Sequence, residues 1–224
     1  MSEGKRQILE TLRRNLKRGE LSGEQKAELE RRLMEHPRSI VPARGQLPHS
    51  QQVELFIKMA EEAAAEVQRV VAFEEVPRAI ASYIEAEGLP REVVMAPHEA
   101  LRALAWDSTQ PPLKIEQRRA ENGDKVTITP AFAGIAETGT LMLLSGPHSP
   151  TTLNLLPDVH IVVLEAVKIV GCYEEAWQKL RDRGGQIPRT VNMITGPSRS
   201  ADIEQKLQLG AHGPIRLHIV LVGD

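Results

Sequence analysis

The chain has 224 residues, of which 41% are hydrophobic and 3% aromatic, so a core would have to be built from aliphatic side chains. Its net charge of −2 predicts neither nucleic acid nor a membrane surface as a partner. The charge is uneven, because residues 1–50 hold 11 Lys and Arg against 7 Asp and Glu, and the rest holds 17 against 23. A basic arm therefore precedes an acidic body, and the arm either meets a partner or is a solvated helix pair.

Three further features of the sequence exclude particular classes of protein. The single cysteine, Cys172, excludes a disulfide framework and a cysteine-ligated cluster. No apolar run approaches the ~20 residues that a membrane span needs, and residues 1–6 lack the apolar segment of a signal peptide. We therefore expect a cytoplasmic protein without a membrane span.

The first fifty residues predict a helical arm. Apolar residues at helical spacing indicate an amphipathic helix over 4–18, and a capping box at Ser22 begins a second helix that runs to Pro37. Residues 37–50 are rich in proline and lack periodicity, so they form a linker. The predicted domains are the basic arm with its Pro-rich linker, 1–50, and a body, 51–224.

The body alternates between helical and strand-like segments. Helices are predicted over 51–66, 76–88, from Pro97, over 173–183 and over 200–209. Strands are predicted over 67–73, 92–96, 113–117, 125–129, 140–144, 161–165, 191–195 and 216–222. Strands separated by helices indicate an α/β fold with a mostly parallel sheet flanked by helices on both faces.

The segment 190–204 combines a strand, a turn and a predicted helix start. The apolar strand stops at Gly196-Pro197, and Ser198 to Ser200 offer hydroxyl caps for the helix that follows. Free backbone N–H groups at such a helix start favour an anion. We expect them to hold a carboxylate or phosphate together with Arg199. The alternative is an ordinary strand-to-helix connection.

A second motif is Gly134-Ile-Ala-Glu-Thr-Gly-Thr140, just before a predicted strand. It lacks the lysine of a phosphate-binding P-loop. What remains is Glu137, flanked by hydroxyl residues and glycine. This carboxylate is a candidate general base or a binder of substrate hydroxyls, and the alternative is an acid that caps a turn.

The histidines and remaining loops carry weaker signals. No metal-binding H-E-x-x-H motif occurs, so His148, His160 and His212 would form a metal site only if folding assembled them. The dinucleotide and serine-hydrolase motifs are also absent from the sequence. The loop 145–152 either exposes backbone to a ligand or is an ordinary loop. We expect Cys172 and His218 to be core residues.

Three motifs together resemble the lactate utilization protein C family, which has the LUD domain. They are 136–141, 155–160 and 194–204 with 210–214. The resemblance implies a fold of the NagB/RpiA/CoA-transferase group, and participation in oxidising L-lactate to pyruvate with two iron–sulfur-cluster proteins. One cysteine cannot supply the usual four thiolates, so the clusters are expected in the partners and no cofactor in this chain.

These observations define a candidate site. Glu137 is the candidate catalytic residue, and no metal site is predicted. The candidate substrate-binding residues are Thr138, Gly139, Thr140, His160, Thr195, Gly196, Ser198, Arg199, Ser200 and His212. Two other hypotheses stay open: a stand-alone enzyme acting on a nucleotide, CoA ester or phosphorylated small molecule, and a non-catalytic interaction module that docks through its arm.

Overall fold

The computed structural model describes residues 2–17, 19–38, 40–200, 208–209 and 212–223. The chain divides into two compact units, Met1–Ile40 and Val41–Asp224. The first contains helices α1 (Glu3–Asn15) and α2 (Gly23–Glu35), and neither helix has a buried residue. The predicted capping box is present, since Ser22 and Gln25 exchange side-chain and backbone hydrogen bonds. The second unit includes residues 41–50, which the sequence analysis counts with the arm.

The second unit alternates helices and strands, as expected. Its helices are α3 (His49–Glu62), α4 (Val76–Ala86), α5 (Glu99–Arg102), α6 (Thr152–Leu155) and α7 (Tyr173–Asp182). Single 3₁₀ turns span Ala43–Gly45, Phe73–Glu75, Trp106–Ser108 and Ala166–Lys168. Of the helices that the structure describes, none combines the length and the apolar character needed to cross a bilayer.

The strands form two sheets and a short ladder. They are β1 (Glu66–Val70), β2 (Glu92–Met95), β3 (Lys114–Gln117), β4 (Val126–Pro130), β5 (Ala133–Ile135), β6 (Thr140–Leu144), β7 (Val159–Glu165), β8 (Ile169–Val170), β9 (Val191–Ile194), β10 (Arg199–Ser200), β11 (Gln208–Leu209) and β12 (Arg216–Val222). The larger sheet has six strands in the order β1-β12-β7-β4-β2-β3, and every pairing in it is parallel. The predicted α/β fold with a mostly parallel sheet is confirmed.

The central strands of this sheet are buried on both faces, which explains their continuous apolar sequence. Along β7, Ile161 and Val163 face a cluster that includes α4 and α5, whereas Val162 and Leu164 face one that includes α3 and β6. A third cluster lies between the smaller sheet and α7. At about 25 cal/mol per Å² of apolar surface, such two-sided burial is the main favourable term in folding.

The smaller sheet differs from the expectation of one parallel sheet. Its order is β8-β5-β6-β9, and β6 runs antiparallel to both β5 and β9. The predicted strands at 140–144 and 191–195 therefore exist, but outside the parallel sheet. The connection from β5 to β6, residues 136–139, is too short for a parallel crossover, which needs a dozen or more residues. In addition, β9 is half-buried rather than buried.

The predicted helix over 200–209 is wrong at both ends. Arg199–Ser200 pairs antiparallel with Gln208–Leu209, and residues 201–207 lie outside the described part of the chain. The N–H of Ser198 donates to the carbonyl of Pro214 at 2.8 Å, so it is not free at a helix start. Among the described residues, the segment 198–200 therefore does not begin a helix directly after the turn at Gly196-Pro197.

Candidate functional site

A pocket of about 290 Å³ opens at the amino ends of β7 and β12, against the end of β9. Its walls are residues of α6, β7, β9, β12 and the segments 195–199 and 212–214. They are Asn154, Leu155, His160, Met193, Ile194, Thr195, Gly196, Pro197, Ser198, Arg199, His212, Gly213, Pro214 and Leu217. We call it the His160 pocket. Apolar walls with a few convergent polar groups are typical of small-molecule sites.

The turn after β9 is held against the end of α3. Gly196 has φ +67°, and a Cβ there would collide with the carbonyl group of Ala63. The guanidinium of Arg199 donates to the same carbonyl oxygen at 2.7 Å. A cation at a helix C-terminus satisfies an otherwise unpaired carbonyl and complements the helix dipole. Arg199 thus has a structural contact, while its side chain remains exposed at the pocket.

A chain of hydroxyl groups runs from the pocket into the smaller sheet. Thr195 Oγ1 lies 2.6 Å from Thr140 Oγ1, which lies 2.7 Å from Thr138 Oγ1. The phenol of Tyr173 lies 2.9 Å from Thr140 Oγ1 and 3.2 Å from Thr138 Oγ1. Two separate motifs of the sequence, at 138–140 and at 195, therefore meet through hydrogen bonds.

Glu137 is buried and caps α7. Its Oε1 accepts from the N–H of Tyr173, the first residue of that helix, at 3.0 Å, and its Oε2 lies 3.8 Å from Nε of Arg44. A carboxylate at this position satisfies a free N–H and complements the helix dipole. Glu137 is not among the residues that line the His160 pocket. The geometry gives it a capping contact, and its catalytic role stays a prediction.

His160 is a neutral imidazole in the floor of the pocket. Its Nε2 lies 2.7 Å from Thr129 Oγ1, and its Nδ1 has no hydrogen-bond partner among the described residues. Burial lowers the pKa of His160 to about 3, because a charged ring would be cut off from water. The neutral ring therefore retains one unpaired nitrogen, which costs about 1–3 kcal/mol unless a ligand supplies the partner.

The predicted site residues separate into three groups. His160, Thr195, Gly196, Ser198, Arg199 and His212 line the pocket. Thr138 and Thr140 reach it through the hydroxyl chain, and Gly139, at φ +63°, fits its turn against the backbone of α3. Ser200 lies in β10, and its side chain is outside the described part of the chain.

Sequence reasoning missed several residues that the fold brings to this site. Asn154, which is buried, and Leu217 line the pocket, and Tyr173 joins the hydroxyl chain. They lie in segments predicted as ordinary helix, strand or loop, and no motif marks them. Leu217 lies beside His160 because β12 pairs with β7, whereas Asn154 and Tyr173 are brought in by α6 and α7.

The expectations for Cys172 and His218 are confirmed. Cys172 is 1% exposed, and burial raises the pKa of its thiol. His218 is 4% exposed, and its ring stacks on Tyr83 with centroids 3.7 Å apart. Folding does not assemble His148, His160 and His212 into one cluster: among the described residues, no group of three or more His, Cys, Asp or Glu is placed to hold a metal ion.

Comparison with known proteins identifies the domain. The family model of the LUD domain matches residues 53–222. A solved structure of a DUF162 family protein from Deinococcus radiodurans has the same fold, with a TM-score of 0.58 and 22% identity. The structural match covers 79% of this chain and 99% of the Deinococcus radiodurans chain.

Two curated relatives carry the name lactate utilization protein C. The protein of Bacillus velezensis is 36% identical over 132 residues, which is 57% of this chain and 53% of the relative. That of Exiguobacterium sp. is 42% identical over 123 residues, which is 53% of this chain and 52% of the relative. The matched segment thus spans about half the length of these relatives.

Proposed function

This chain belongs to the LUD-domain family, and on that premise we propose that it is a cytoplasmic subunit of an L-lactate utilization system. In this proposal two partner proteins with iron–sulfur clusters take the electrons when L-lactate is oxidised to pyruvate. The observation that carries the proposal is the similarity to two proteins named for lactate utilization, at 36% and 42% identity.

The division of labour between the subunits follows from the cysteine content. Oxidation of lactate to pyruvate releases two electrons and two protons. The single cysteine of this chain cannot supply the four thiolates of a usual cluster, and it is buried. In this proposal the electrons pass to the partner proteins. The contribution left to this chain is to bind the small carboxylate or to position the partners.

The His160 pocket is where this chain would bind a carboxylate of that size. The guanidinium of Arg199 has five N–H donors, of which one hydrogen bond, to Ala63, is present. In the described part of the chain, Arg199 has no carboxylate partner. The hydroxyls of Thr195 and Ser198 add further polar groups to the wall. Together these groups could donate hydrogen bonds to the carboxylate of lactate and contact its neighbouring hydroxyl.

In this pocket His160 would be a hydrogen-bonding group rather than the base that removes a proton. With its pKa at about 3, the imidazole takes up a proton too weakly to be an efficient general base near neutral pH. Its free Nδ1 instead provides one directional contact for a ligand hydroxyl or carbonyl oxygen. In this proposal, a group other than His160 removes the proton from lactate. That group lies either on a partner protein or elsewhere around the bound ligand.

The test is anaerobic affinity purification of the tagged chain from its native cells grown on L-lactate. We expect cysteine-rich partner proteins in the eluate, together with the visible absorption of iron–sulfur clusters. Cells grown without L-lactate and cells expressing the tag alone are the controls. A colourless eluate without partners would contradict the proposal. Binding and turnover of a nucleotide, CoA ester or phosphorylated compound by that isolated protein would then favour the stand-alone enzyme.

A further inference from the structure

A second pocket lies at the opposite end of the parallel sheet. It has a volume of about 270 Å³, and its walls include Pro130, the last residue of β4. His98 and Lys168, which also line it, each follow the end of a strand by three residues, β2 and β7 respectively. We call it the His98 pocket. In open α/β sheets, ligands bind beyond the carboxyl ends of the strands, and this pocket has that position.

Basic side chains dominate the His98 pocket. His98, His148, Lys168 and Arg183 all line it, and no Asp or Glu does. Lys168 pairs with Glu165 at 2.6 Å. Arg183 is exposed and, within the described ranges, forms no ion pair. The lining residues therefore supply two permanent cations and two imidazoles, and no acidic side chain among them.

The basic groups are close enough to influence one another. Burial lowers the pKa of His98, and the charges of Lys168 and His148 lower it further, against the opposing effect of Glu99 and Glu165. Mutual repulsion of this kind disfavours protonation, and an anion between the groups would relieve it. The Nδ1 atom of His98 is buried and has no hydrogen-bond partner among the described residues.

A closed loop presents His148 to this pocket. Gly146 and Ser149 exchange two backbone hydrogen bonds, of 3.2 and 3.1 Å, around Pro147 and His148. The hydroxyl of Ser145 accepts from the N–H of Thr190 at 2.8 Å, which ties the loop to the segment before β9. These hydrogen bonds fix the backbone of the loop, which places the exposed His148 at the rim of the pocket.

We propose that the His98 pocket binds a small oxyanion, a carboxylate or a phosphate group, between His98, His148, Lys168 and Arg183. Charge-assisted hydrogen bonds from arginine and lysine are the strongest contacts for such groups. The volume lies at the lower end for ligand pockets, which favours a small anion over a nucleotide. The inference is independent of the lactate proposal, because it concerns different residues at the other end of the sheet.

The experiment follows the imidazole signals of the histidines by ¹H–¹³C NMR while one anion is added at constant ionic strength. Inorganic phosphate and L-lactate are the two probes, in separate titrations, and His→Gln variants assign the signals. We expect saturable shifts of the His98 and His148 signals in the millimolar range, without matching shifts of the exposed His36 and His49. The probe that saturates at lower concentration identifies the preferred oxyanion.

Variants establish whether the proposed cations hold the anion. Arg183→Gln and Lys168→Gln should each weaken binding at least tenfold, since each removes a charge-assisted contact. Arg189→Gln is the matched control: it removes the same charge from an exposed arginine that does not line the pocket. The proposal is overturned if neither probe gives a saturable shift. It is also overturned if Arg183→Gln binds as well as the unmodified chain, or if Arg189→Gln weakens binding as much.

Discussion

A single buried histidine links the candidate site to the stability of the fold. His160 is fully enclosed, with one ring nitrogen on Thr129 and the other unpaired. Since burial lowers its pKa to about 3, the folded protein resists protonation of this ring. The unfolded chain does not, because an exposed imidazole titrates near its usual value of 6.5. The two states therefore bind different numbers of protons in mildly acidic solution.

We expect the free energy of unfolding to fall as the pH is lowered from 6.5 to 5. In this window the unfolded state takes up a proton at His160 that the folded state does not, so acid favours unfolding. The contribution of this one residue is about 1.6 kcal/mol over the window, because the unfolded imidazole becomes almost fully protonated by pH 5 while the folded one stays neutral. In His160→Gln the fall should be smaller by about that amount, measured by urea unfolding at each pH.

A matched variant separates this effect from general acid sensitivity. His49→Gln removes an exposed histidine at the start of α3 and is the matched control for the loss of one imidazole. His98 and His218 also have lowered pKa values, so part of the acid sensitivity will remain in His160→Gln. An unchanged slope in His160→Gln would show that His160 is not the buried neutral group described above.

At the scale of elements, two glycines allow the loops of the smaller sheet to contact the end of α3. Gly139 has φ +63°, and a Cβ on it would collide with the backbone of Met59 and Ala60. Gly196 has φ +67° and approaches Ala63 in the same way. Both turns therefore depend on a positive φ and on a missing side chain. Through them, the end of one helix positions the hydroxyl chain and the pocket wall.

Gly139→Ala should destabilise the protein by more than about 2 kcal/mol, since strain and backbone collision act together. Gly88→Ala is a suitable comparison, because Gly88 has φ +61° but open space around it. It should cost only about 1 kcal/mol, the strain of the left-handed conformation. Thermal or urea unfolding of the two variants measures the difference. Equal losses would mean that the contact with α3 contributes nothing.

The elements that the sequence predicts well are those with a strong local signal. Strands β7 and β12 each contain four consecutive apolar residues, 161–164 and 219–222, and the capping box of α2 is explicit in the sequence. The smaller sheet was not predicted because β5 and β8 have only three and two residues. Two or three residues are too few to show the alternation of apolar and polar side chains that indicates a strand. The pairing of β6 with β9 depends on tertiary contacts.

The candidate site shows the same division. The motifs at 137–140 and 195–199 were recognised because they are contiguous, and the fold joins them through Thr140 and Thr195. The His98 pocket was not predicted as a unit, since its basic residues are scattered from 98 to 183 along the chain. The hydroxyl residues at 198–200 predict the start of a helix, yet Arg199–Ser200 pairs with Gln208–Leu209 as a short antiparallel ladder.

At the scale of the whole molecule, the two units differ in how they are built. The clusters of buried apolar residues all lie in the second unit, and the helices of the first bury no side chain. The second unit starts at Val41, and Gly45 packs closely within it. A Cβ at Gly45 would collide with the backbone of Gly171. The side chain of Gln52 donates to the carbonyl oxygen of Gly45 at 3.0 Å. Residues 41–46 thus contribute to the packing of the second unit.

Two deletions should therefore behave differently. A chain that starts at Val41 should retain the thermal midpoint of the parent, because it keeps every buried cluster. One that starts at Leu47 also loses the Gly45 packing, the hydrogen bond from Gln52 and the ion pair of Arg44 with Glu137, and should unfold at least several degrees lower. Circular dichroism on heating compares them. Equal midpoints would contradict the structural role of residues 41–46.

The chain that starts at Val41 also tests the docking hypothesis. If it folds but no longer captures partner proteins from lactate-grown cells, the basic arm is the docking element. If it captures them as the parent does, partner binding belongs to the α/β domain, and the basic charge of the arm reflects only a solvated helix pair.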